Sequence, residues 1–148
     1  MTRMSMMGCL LAVGIAGCGS VPERRSGWIQ PVEAVQAAND DPVFGIRGRF
    51  ALTVRAIGTQ DDRTYLNSER DYRHQTNLTI AMPTTVADQV AARLQLPLAD
   101  LRNRRLLVDG QARRVRIAFV ESDGRRSGGY YYQTHVTVRD PAQIMFAD

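Results

Sequence analysis

Alternating apolar and polar side chains run through most of this sequence. The first alternating run places Phe50, Leu52 and Val54 on one face, with polar or small side chains between them. Shorter runs of the same kind follow at residues 64–67 and 78–82. Because the side chains of a strand point alternately to its two faces, these runs predict three half-buried β-strands.

The periodicity then changes to that of a helix. Val86, Val90 and Leu94 recur at intervals of four residues, and Pro97 ends the run. This spacing keeps the three side chains on one side of a helix with 3.6 residues per turn, so it predicts a single amphipathic helix.

Two longer alternating runs complete the pattern. In the first, we expect Val115, Ile117 and Phe119 to face the core and Arg114 and Arg116 to point outward. A loop rich in Gly and Ser, over residues 122–129, leads into the last run at 130–139. One face of this last predicted strand carries Tyr130, Tyr132, Thr134, Val136 and Val138.

The order of three strands, one helix and two strands predicts the fold class. It favours a mostly β domain, a five-stranded Greek-key barrel of the oligonucleotide/oligosaccharide-binding (OB) type, with one helix between strands 3 and 4. A doubly wound fold would require a helix between each pair of strands. We expect this domain to occupy residues 44–148.

The first residues have the organisation of an export signal. Arg3 precedes an apolar run at residues 6–16, and small residues lead to Cys18. The run is much shorter than the roughly 20 residues that span a bilayer, which favours a signal peptide over a transmembrane helix. The segment Ile15-Ala16-Gly17-Cys18 resembles the lipobox of bacterial lipoproteins.

This resemblance implies that residues 1–17 are removed and that Cys18 becomes a lipid-modified first residue. Residues 18–43 would then form the anchor and a tether, in which residues 31–39 are expected to form a short helix. The partner implied is a membrane of the cell envelope. Gly19, where an aspartate would signal retention, implies the periplasmic face of an outer membrane if the organism has one. An ordinary signal peptide without lipid is the alternative.

The charge of the chain suggests a further class of partner. All 19 basic residues are arginines, the formal net charge is +4, and arginines cluster at residues 102–105, 113–116 and 125–126. Clustered guanidinium groups are typical of surfaces that bind phosphates or carboxylates, which indicates a polyanion or an unknown protein as partner. We favour the simpler interpretation, a solvated strand surface in an arginine-rich chain.

Five short segments carry a second resemblance: residues 65–69, 71–73, 77–80, 107–110 and 136–144. They resemble the strands and turns of bacterial OB-fold proteins described as nucleic-acid-binding-like. The resemblance extends from Gly48 to Ile144 and implies an OB barrel and, from the name of the family, oligonucleotide binding. Because OB barrels also bind sugars, peptides and proteins, the function must be argued from the site itself.

The ligand face of an OB barrel lies on its second and third strands and the adjoining loops. Single-stranded nucleic acids bind where aromatic rings stack on bases and basic groups contact phosphates. The candidate binding residues are therefore Tyr65, Asn67, Tyr72, Arg73, His74, Arg114, Arg116, Tyr131 and His135. The alternative, which we favour, is structural: Tyr130 and Tyr132 lie in the core and Tyr131 is an ordinary cross-strand neighbour.

The sequence offers little for catalysis or metal binding. It has two histidines without a metal-ligand spacing, and a zinc site needs three or four suitable ligands. Ser68, Glu69 and His74 are the one local group of nucleophilic type, and no Gly-x-Ser-x-Gly motif is present. We therefore predict no metal, no cofactor and no enzymatic activity.

The resulting prediction is a lipid-anchored binding or interaction module of the cell envelope, with an unknown ligand. Two alternatives stay open: single-stranded nucleic-acid binding outside the cytoplasm, and structural contact with other envelope proteins. They differ in salt dependence, because binding to a polyanion releases counterions and weakens steeply with salt, whereas apolar association does not.

Overall fold

Strands are the main element of the computed structural model, which describes residues 27–147. Within this range the strands are β1 (Trp28–Ile29), β2 (Ile46–Thr53), β3 (Ala56–Gln60), β4 (Arg63–Asn67), β5 (Leu78–Pro83), β6 (Arg105–Val120), β7 (Arg126–Thr137) and β8 (Ile144–Phe146). The helices are α1 (Pro31–Asp40) and α2 (Thr84–Leu94), with 3-10 turns at Leu98–Leu101 and Pro141–Gln143. The predicted signal peptide and Cys18 lie outside the described residues.

These strands belong to one mixed sheet. Its order is β1-β2-β6-β7-β5-β4-β3, with β8 paired to β6. The pairs β1–β2 and β5–β7 are parallel, and the others are antiparallel. Within the described residues the path is open, since it begins at β1 and ends at β3. The prediction of a mostly β fold is confirmed at this level.

The first predicted strand is divided into β2 and β3. At the break, the Val54 N–H donates to the carbonyl of Arg104, whereas the Arg55 N–H donates to the carbonyl of Asn67. The chain therefore changes partner from β6 to β4 between these two residues. The sheet contains β1 and β8 as well, which the sequence pattern did not predict.

The core lies between the sheet and the two helices. Val86 and Val90 of α2 are buried, and Leu94 packs at its margin, as the helical spacing predicts. The largest completely buried side chains are Phe50, Leu52, Leu66, Leu78, Ile80, Met82, Leu101, Leu106 and Ile144.

The structure corrects the predicted inward face of β6. Leu106, Val108 and Ala112 are buried, whereas Val115 and Ile117 are only half-buried on the opposite face and Phe119 is 42% exposed. The reason is that β6 pairs with β2 as far as Ala112 and with β7 from Ala112 onward. The second half of β6 thus extends away from the core, and the apolar residues of this half are not part of the core.

The prediction for the last strand is correct at one end and wrong at the other. Val136 and Val138 are completely buried, as predicted. Tyr130 and Tyr132 share their face but are 46% and 47% exposed, so they are not core residues. They lie on the part of β7 that pairs with the extended half of β6.

Residues 28–40, which we expected to belong to the tether, pack on the sheet. β1 pairs with β2, and the predicted helix is present as α1, which buries Ala34 and Ala38 completely. Pro31 occupies its first turn, and the Gln30 N–H donates to Glu33 Oε2 at 3.0 Å. The packed unit thus includes residues before 44. No helix in residues 27–147 is long and apolar enough to cross a membrane.

Candidate binding groove

Strand alternation places a set of polar and aromatic side chains on the side of the sheet that faces away from the core. Leu66, Ile80 and Val136 are buried on one side of β4, β5 and β7. The residues next to them in sequence point the other way. The register aligns Asn67 with Thr79, and Thr79 with His135, across these three strands.

These side chains form the floor of a groove of about 440 Å³. Its walls come from β3, from the loop between β4 and β5, and from the extended β6–β7 hairpin. The lining residues are Gly58, Thr59, Gln60, Tyr65, Asn67, Tyr72, Arg73, Thr79, Ile117, Ala118, Phe119, Val120, Tyr131, Gln133 and His135.

A buried amide holds the loop of residues 68–77 against the groove floor. Asn77 Nδ2 donates to Asn67 Oδ1 (3.2 Å), to Thr79 Oγ1 (2.9 Å) and to the carbonyl oxygen of Tyr72 (3.2 Å). Thr79 Oγ1 donates to Asn67 Oδ1 at 2.8 Å. Asn77 therefore connects two strands to the loop segment that carries Tyr72 and Arg73.

The other end of this buried network fixes the start of the loop. The Glu69 N–H donates to Asn77 Oδ1 at 3.1 Å, and the Leu78 N–H donates to Ser68 Oγ at 2.9 Å. Among the described residues, no buried side-chain nitrogen or oxygen lacks a hydrogen-bond partner. Satisfied polar networks of this kind fix a single conformation, so the groove wall is preorganised.

A chain of hydrogen bonds crosses the groove floor along β7. His135 Nε2 lies 2.7 Å from Gln133 Oε1, and Gln133 Nε2 donates to the Tyr131 hydroxyl at 2.9 Å. Since an amide oxygen only accepts, the neutral His135 carries its proton on Nε2. Across the groove, Tyr131 lies close enough to Arg73 to raise the pKa of that arginine.

Aromatic rings line both walls. The Tyr65 and His135 ring centroids lie 6.2 Å apart, and Phe119 stacks on Tyr131 with centroids 5.2 Å apart. The Arg73 guanidinium lies 5.1 Å from the Tyr72 ring centroid. Its interaction with Tyr72, followed by that with Tyr131, raises the pKa of Arg73. Like any arginine it is charged at neutral pH, so it presents a positive charge to the groove that it lines.

The surroundings of His135 shift the pKa of its ring strongly. Burial, reinforced by the positive charge of Arg63, lowers the pKa of His135 from 6.5 to about 4. The ring is therefore neutral at pH 7. Protonation of His135 would add a positive charge to the groove, which Arg73 already lines, and this charge would be repelled by Arg63.

This shift predicts that acid destabilises the protein. Between pH 6.5 and 4 the unfolded chain binds a proton at His135 and the folded chain does not, so the free energy of unfolding falls as the pH falls. The contribution is at most about 3 kcal/mol across that window. In urea unfolding at a series of pH values, His135→Gln should remove this part of the pH dependence.

His74→Gln is the matched control, because the His74 side chain is exposed. It should keep the pH dependence of the unsubstituted protein. Equal slopes for His135→Gln and the unsubstituted chain between pH 4 and 6.5 would contradict the assignment.

The structure brings together most of the candidate residues but not all of them. Six of the nine line the groove: Tyr65, Asn67, Tyr72, Arg73, Tyr131 and His135. His74 instead lies in the exposed loop, where its Nδ1 is 2.9 Å from Thr76 Oγ1.

Arg114 and Arg116 lie on the opposite face of the β6–β7 hairpin. The register places Arg114 across from Thr134 and Arg116 across from Tyr132, so both follow the face of Tyr130 and Tyr132. Their guanidinium carbons lie 4.2 Å from the Tyr132 centroid and 4.0 Å from the Tyr130 centroid, respectively. The two tyrosine rings meet edge to face at 5.5 Å. We call these four side chains the Arg–Tyr ladder.

Sequence reasoning missed Gln133, Phe119 and Thr79 as groove residues. The signal for Gln133 was present, since it alternates with Tyr131 and His135 on one face of a predicted strand. Phe119 could not be placed without knowing how β6 pairs with β7. Thr79 is small and ordinary in sequence, and its role depends on its bonds to Asn67 and Asn77.

The described residues offer no metal site. Among them, no group of three or more His, Cys, Asp or Glu side chains is arranged to hold an ion.

Comparison with known proteins gives limited similarity. No protein-family model matches the chain, and no curated protein sequence matches it. Among solved structures, it is similar to a chain of the S. pombe Stn1–Ten1 complex, with a TM-score of 0.39 and 12% identity over 70% of this chain and 60% of that one. It is also similar to a putative aspartyl-tRNA synthetase from Leishmania major Friedlin, with a TM-score of 0.42 and 8% identity over 91% of this chain and 23% of that one.

Proposed function

We propose that this protein is a binding module of the cell envelope, anchored by a lipid on Cys18, that holds its ligand in the groove. The observation that carries the proposal is the convergence of Tyr65, Tyr72, Arg73 and Tyr131. These side chains come from three segments, namely β4, the loop between β4 and β5, and β7, and they meet in one preorganised concavity. Concave sites with a few directed polar groups are the usual form of a ligand site.

The proposed architecture is a barrel of the OB type. Two features support it: β2 and β3 lie near opposite ends of the sheet path but are joined by only two residues, and β5 pairs in parallel with β7. The short connection draws the ends of the sheet towards each other. The groove would then lie on the outer face of the second and third barrel strands, where OB barrels bind their ligands.

The chemistry of the groove favours a ligand with flat rings and an anionic group. Tyrosine and phenylalanine rings offer stacking surfaces, Gln133 and Asn67 offer amides, and Arg73 offers a charged donor. Among the described residues that line the groove there is no Asp or Glu. An anionic ligand would therefore meet no opposing carboxylate in the lining.

Single-stranded nucleic acid is a second candidate, favoured by the Arg–Tyr ladder. Its two arginines and two half-exposed tyrosines lie on the other face of the hairpin that walls the groove. A strand that stacks its bases in the groove could continue around the hairpin edge and place phosphates on these guanidinium groups. Stacking rings combined with basic groups are the general requirement for this class of ligand.

The groove proposal is tested by titrating the protein with a short single-stranded oligonucleotide and, separately, with phenyl phosphate, which combines a flat ring with an anionic group. Binding is followed by chemical-shift changes in an amide NMR spectrum. One of the two probes should move the signals of Tyr65, Arg73 and Tyr131 before any others. Absence of groove shifts with both probes would overturn the proposal and leave structural protein contact as the better account.

For the nucleic-acid alternative, the affinity for a single-stranded oligonucleotide is measured by fluorescence anisotropy at two salt concentrations. Tyr65→Ala should weaken oligonucleotide binding by about 1–3 kcal/mol with little change in salt dependence, because stacking releases few ions. Replacing both Arg114 and Arg116 by alanine should reduce the salt slope by about 0.7 per lost phosphate contact.

Arg47→Ala is the matched control, since Arg47 is exposed and lies outside both the groove and the Arg–Tyr ladder. It should leave the affinity nearly unchanged. Oligonucleotide binding that is undetectable at low salt, or equally weakened by Arg47→Ala, would remove the nucleic-acid alternative.

The lipid anchor is tested at Cys18. Cys18→Ser should abolish incorporation of a palmitate analogue in metabolic labelling, because the hydroxyl cannot take the thioether-linked diacylglycerol. Cys9→Ser, within the predicted signal, should leave the labelling unchanged. Full labelling of the Cys18→Ser protein would contradict the anchor.

A further inference from the structure

A surface at the start of β6 is separate from both the groove and the Arg–Tyr ladder. Arg105 is the first residue of β6 and Arg104 directly precedes it. Their guanidinium groups lie over two aromatic rings, one on either side of the strand. The Arg105 guanidinium carbon is 6.0 Å from the Trp28 ring centroid, and that of Arg104 is 4.9 Å from the Phe146 centroid. Together with Arg102 we call these side chains the basic–aromatic patch.

The sheet itself assembles this patch. β6 pairs with β2 on one side, and β2 pairs with β1, which carries Trp28. On the other side β6 pairs with β8, where Leu106 is opposite Phe146. The two aromatic rings therefore lie on either side of β6, Phe146 on the adjacent β8 and Trp28 on β1, beyond β2.

The charge of the patch is uncompensated by ion pairs. Arg102, Arg104 and Arg105 are exposed. The two salt bridges found among the described residues join Arg49 to Asp109 and Arg125 to Asp123, and neither involves the patch. The patch is thus a positively charged surface with an aromatic ring on either side.

We propose that the basic–aromatic patch docks the domain on the anionic phospholipid headgroups of the membrane to which Cys18 is anchored. This proposal rests on the lipid anchor proposed above. Ten residue steps separate Cys18 from Trp28 in the sequence, so the anchor and the patch can be at most about 35 Å apart. The chain therefore joins the packed domain at the same end as the patch.

Two physical effects favour this occupant. Basic side chains are attracted to anionic leaflets within about one Debye length, roughly 10 Å at moderate salt. Tryptophan prefers the interface between headgroups and hydrocarbon, where its ring is apolar and its N–H is hydrated. A lipid chain supplemented by a basic surface binds a membrane more stably than either does alone.

The test uses Trp28, the single tryptophan of the chain, as the reporter. The lipid-modified protein is reconstituted on vesicles of phosphatidylcholine alone or mixed with phosphatidylglycerol. With phosphatidylglycerol at low salt, Trp28 emission should shift to shorter wavelength and acrylamide quenching should fall several-fold. High salt should reverse both changes.

Charge variants identify the patch as the cause. The triple variant R102Q, R104Q, R105Q should lose the response to phosphatidylglycerol, and R102K, R104K, R105K should retain it. The matched control is R113Q, R125Q, R126Q, which removes the same charge from other exposed positions and should respond normally. Equal responses in the two glutamine variants, or identical Trp28 signals on both kinds of vesicle, would overturn the proposal.

Two further readouts separate this proposal from its alternatives. Flotation with phosphatidylcholine alone tests the anchor, so a protein that does not float there but still responds to phosphatidylglycerol lacks the lipid and retains the docking. A Trp28 response to a single-stranded oligonucleotide on neutral vesicles, equal to that given by phosphatidylglycerol, would assign the patch to nucleic acid instead.

Discussion

Replacing Phe50 by alanine should lower the free energy of unfolding by about 3–5 kcal/mol. Phe50 is completely buried and lies in the centre of β2, between Ile29 of β1 and Val108 of β6. Truncation removes apolar surface from the core and leaves a cavity that two paired neighbours prevent from closing. Urea unfolding followed by circular dichroism gives the value directly.

Phe44→Ala is the matched control, since the Phe44 side chain is 65% exposed. It should change the free energy of unfolding by less than about 1 kcal/mol. If the two substitutions had equal effects, the core described between the sheet and the helices would be wrong.

Replacing Asn77 by alanine should destabilise the protein by about 2–4 kcal/mol and should also loosen the loop that forms one wall of the groove. The substitution leaves Asn67, Thr79 and the carbonyl oxygen of Tyr72 without the donor that Asn77 supplies. It also removes the acceptor for the Glu69 N–H. The loop that presents Tyr72 and Arg73 would lose its attachment to the sheet.

This double effect is measured by urea unfolding and by hydrogen exchange of the loop amides. Asn39→Ala, at an exposed position near the end of α1, should leave both unchanged. Protected loop amides in a destabilised Asn77→Ala protein would show that the network supports the core but does not hold the groove wall.

The sequence predicted the strands wherever one face of a strand is buried along its whole length. Leu78, Ile80 and Met82 alternate with polar or small residues, and all three are completely buried. Val86 and Val90 identified α2 in the same way. In these segments the burial is uniform, so local periodicity is sufficient.

The same rule failed on β6 because its apolar residues change face partway along the strand. Leu106, Val108 and Ala112 occupy even positions and face the core, whereas Val115 and Ile117 occupy odd positions and face the groove side. Each half of β6 has the alternating pattern of a half-buried strand. The local sequence does not indicate which of its two faces is turned towards the core. This also explains why Arg114 was assigned to the wrong side of the hairpin.

Local sequence was sufficient to predict the periodic strands, the helix α2 and the pool of aromatic and arginine residues, whereas the lipobox-like segment at Cys18 stays a prediction. Which of these residues come into contact depends on the folded chain. The Asn77 network, the separation of Arg114 and Arg116 from the groove, and the packing of Ala34 and Ala38 all depend on contacts between segments far apart in the chain. Small residues and single amides leave no periodic signal, because their contribution comes from the partners that the fold supplies.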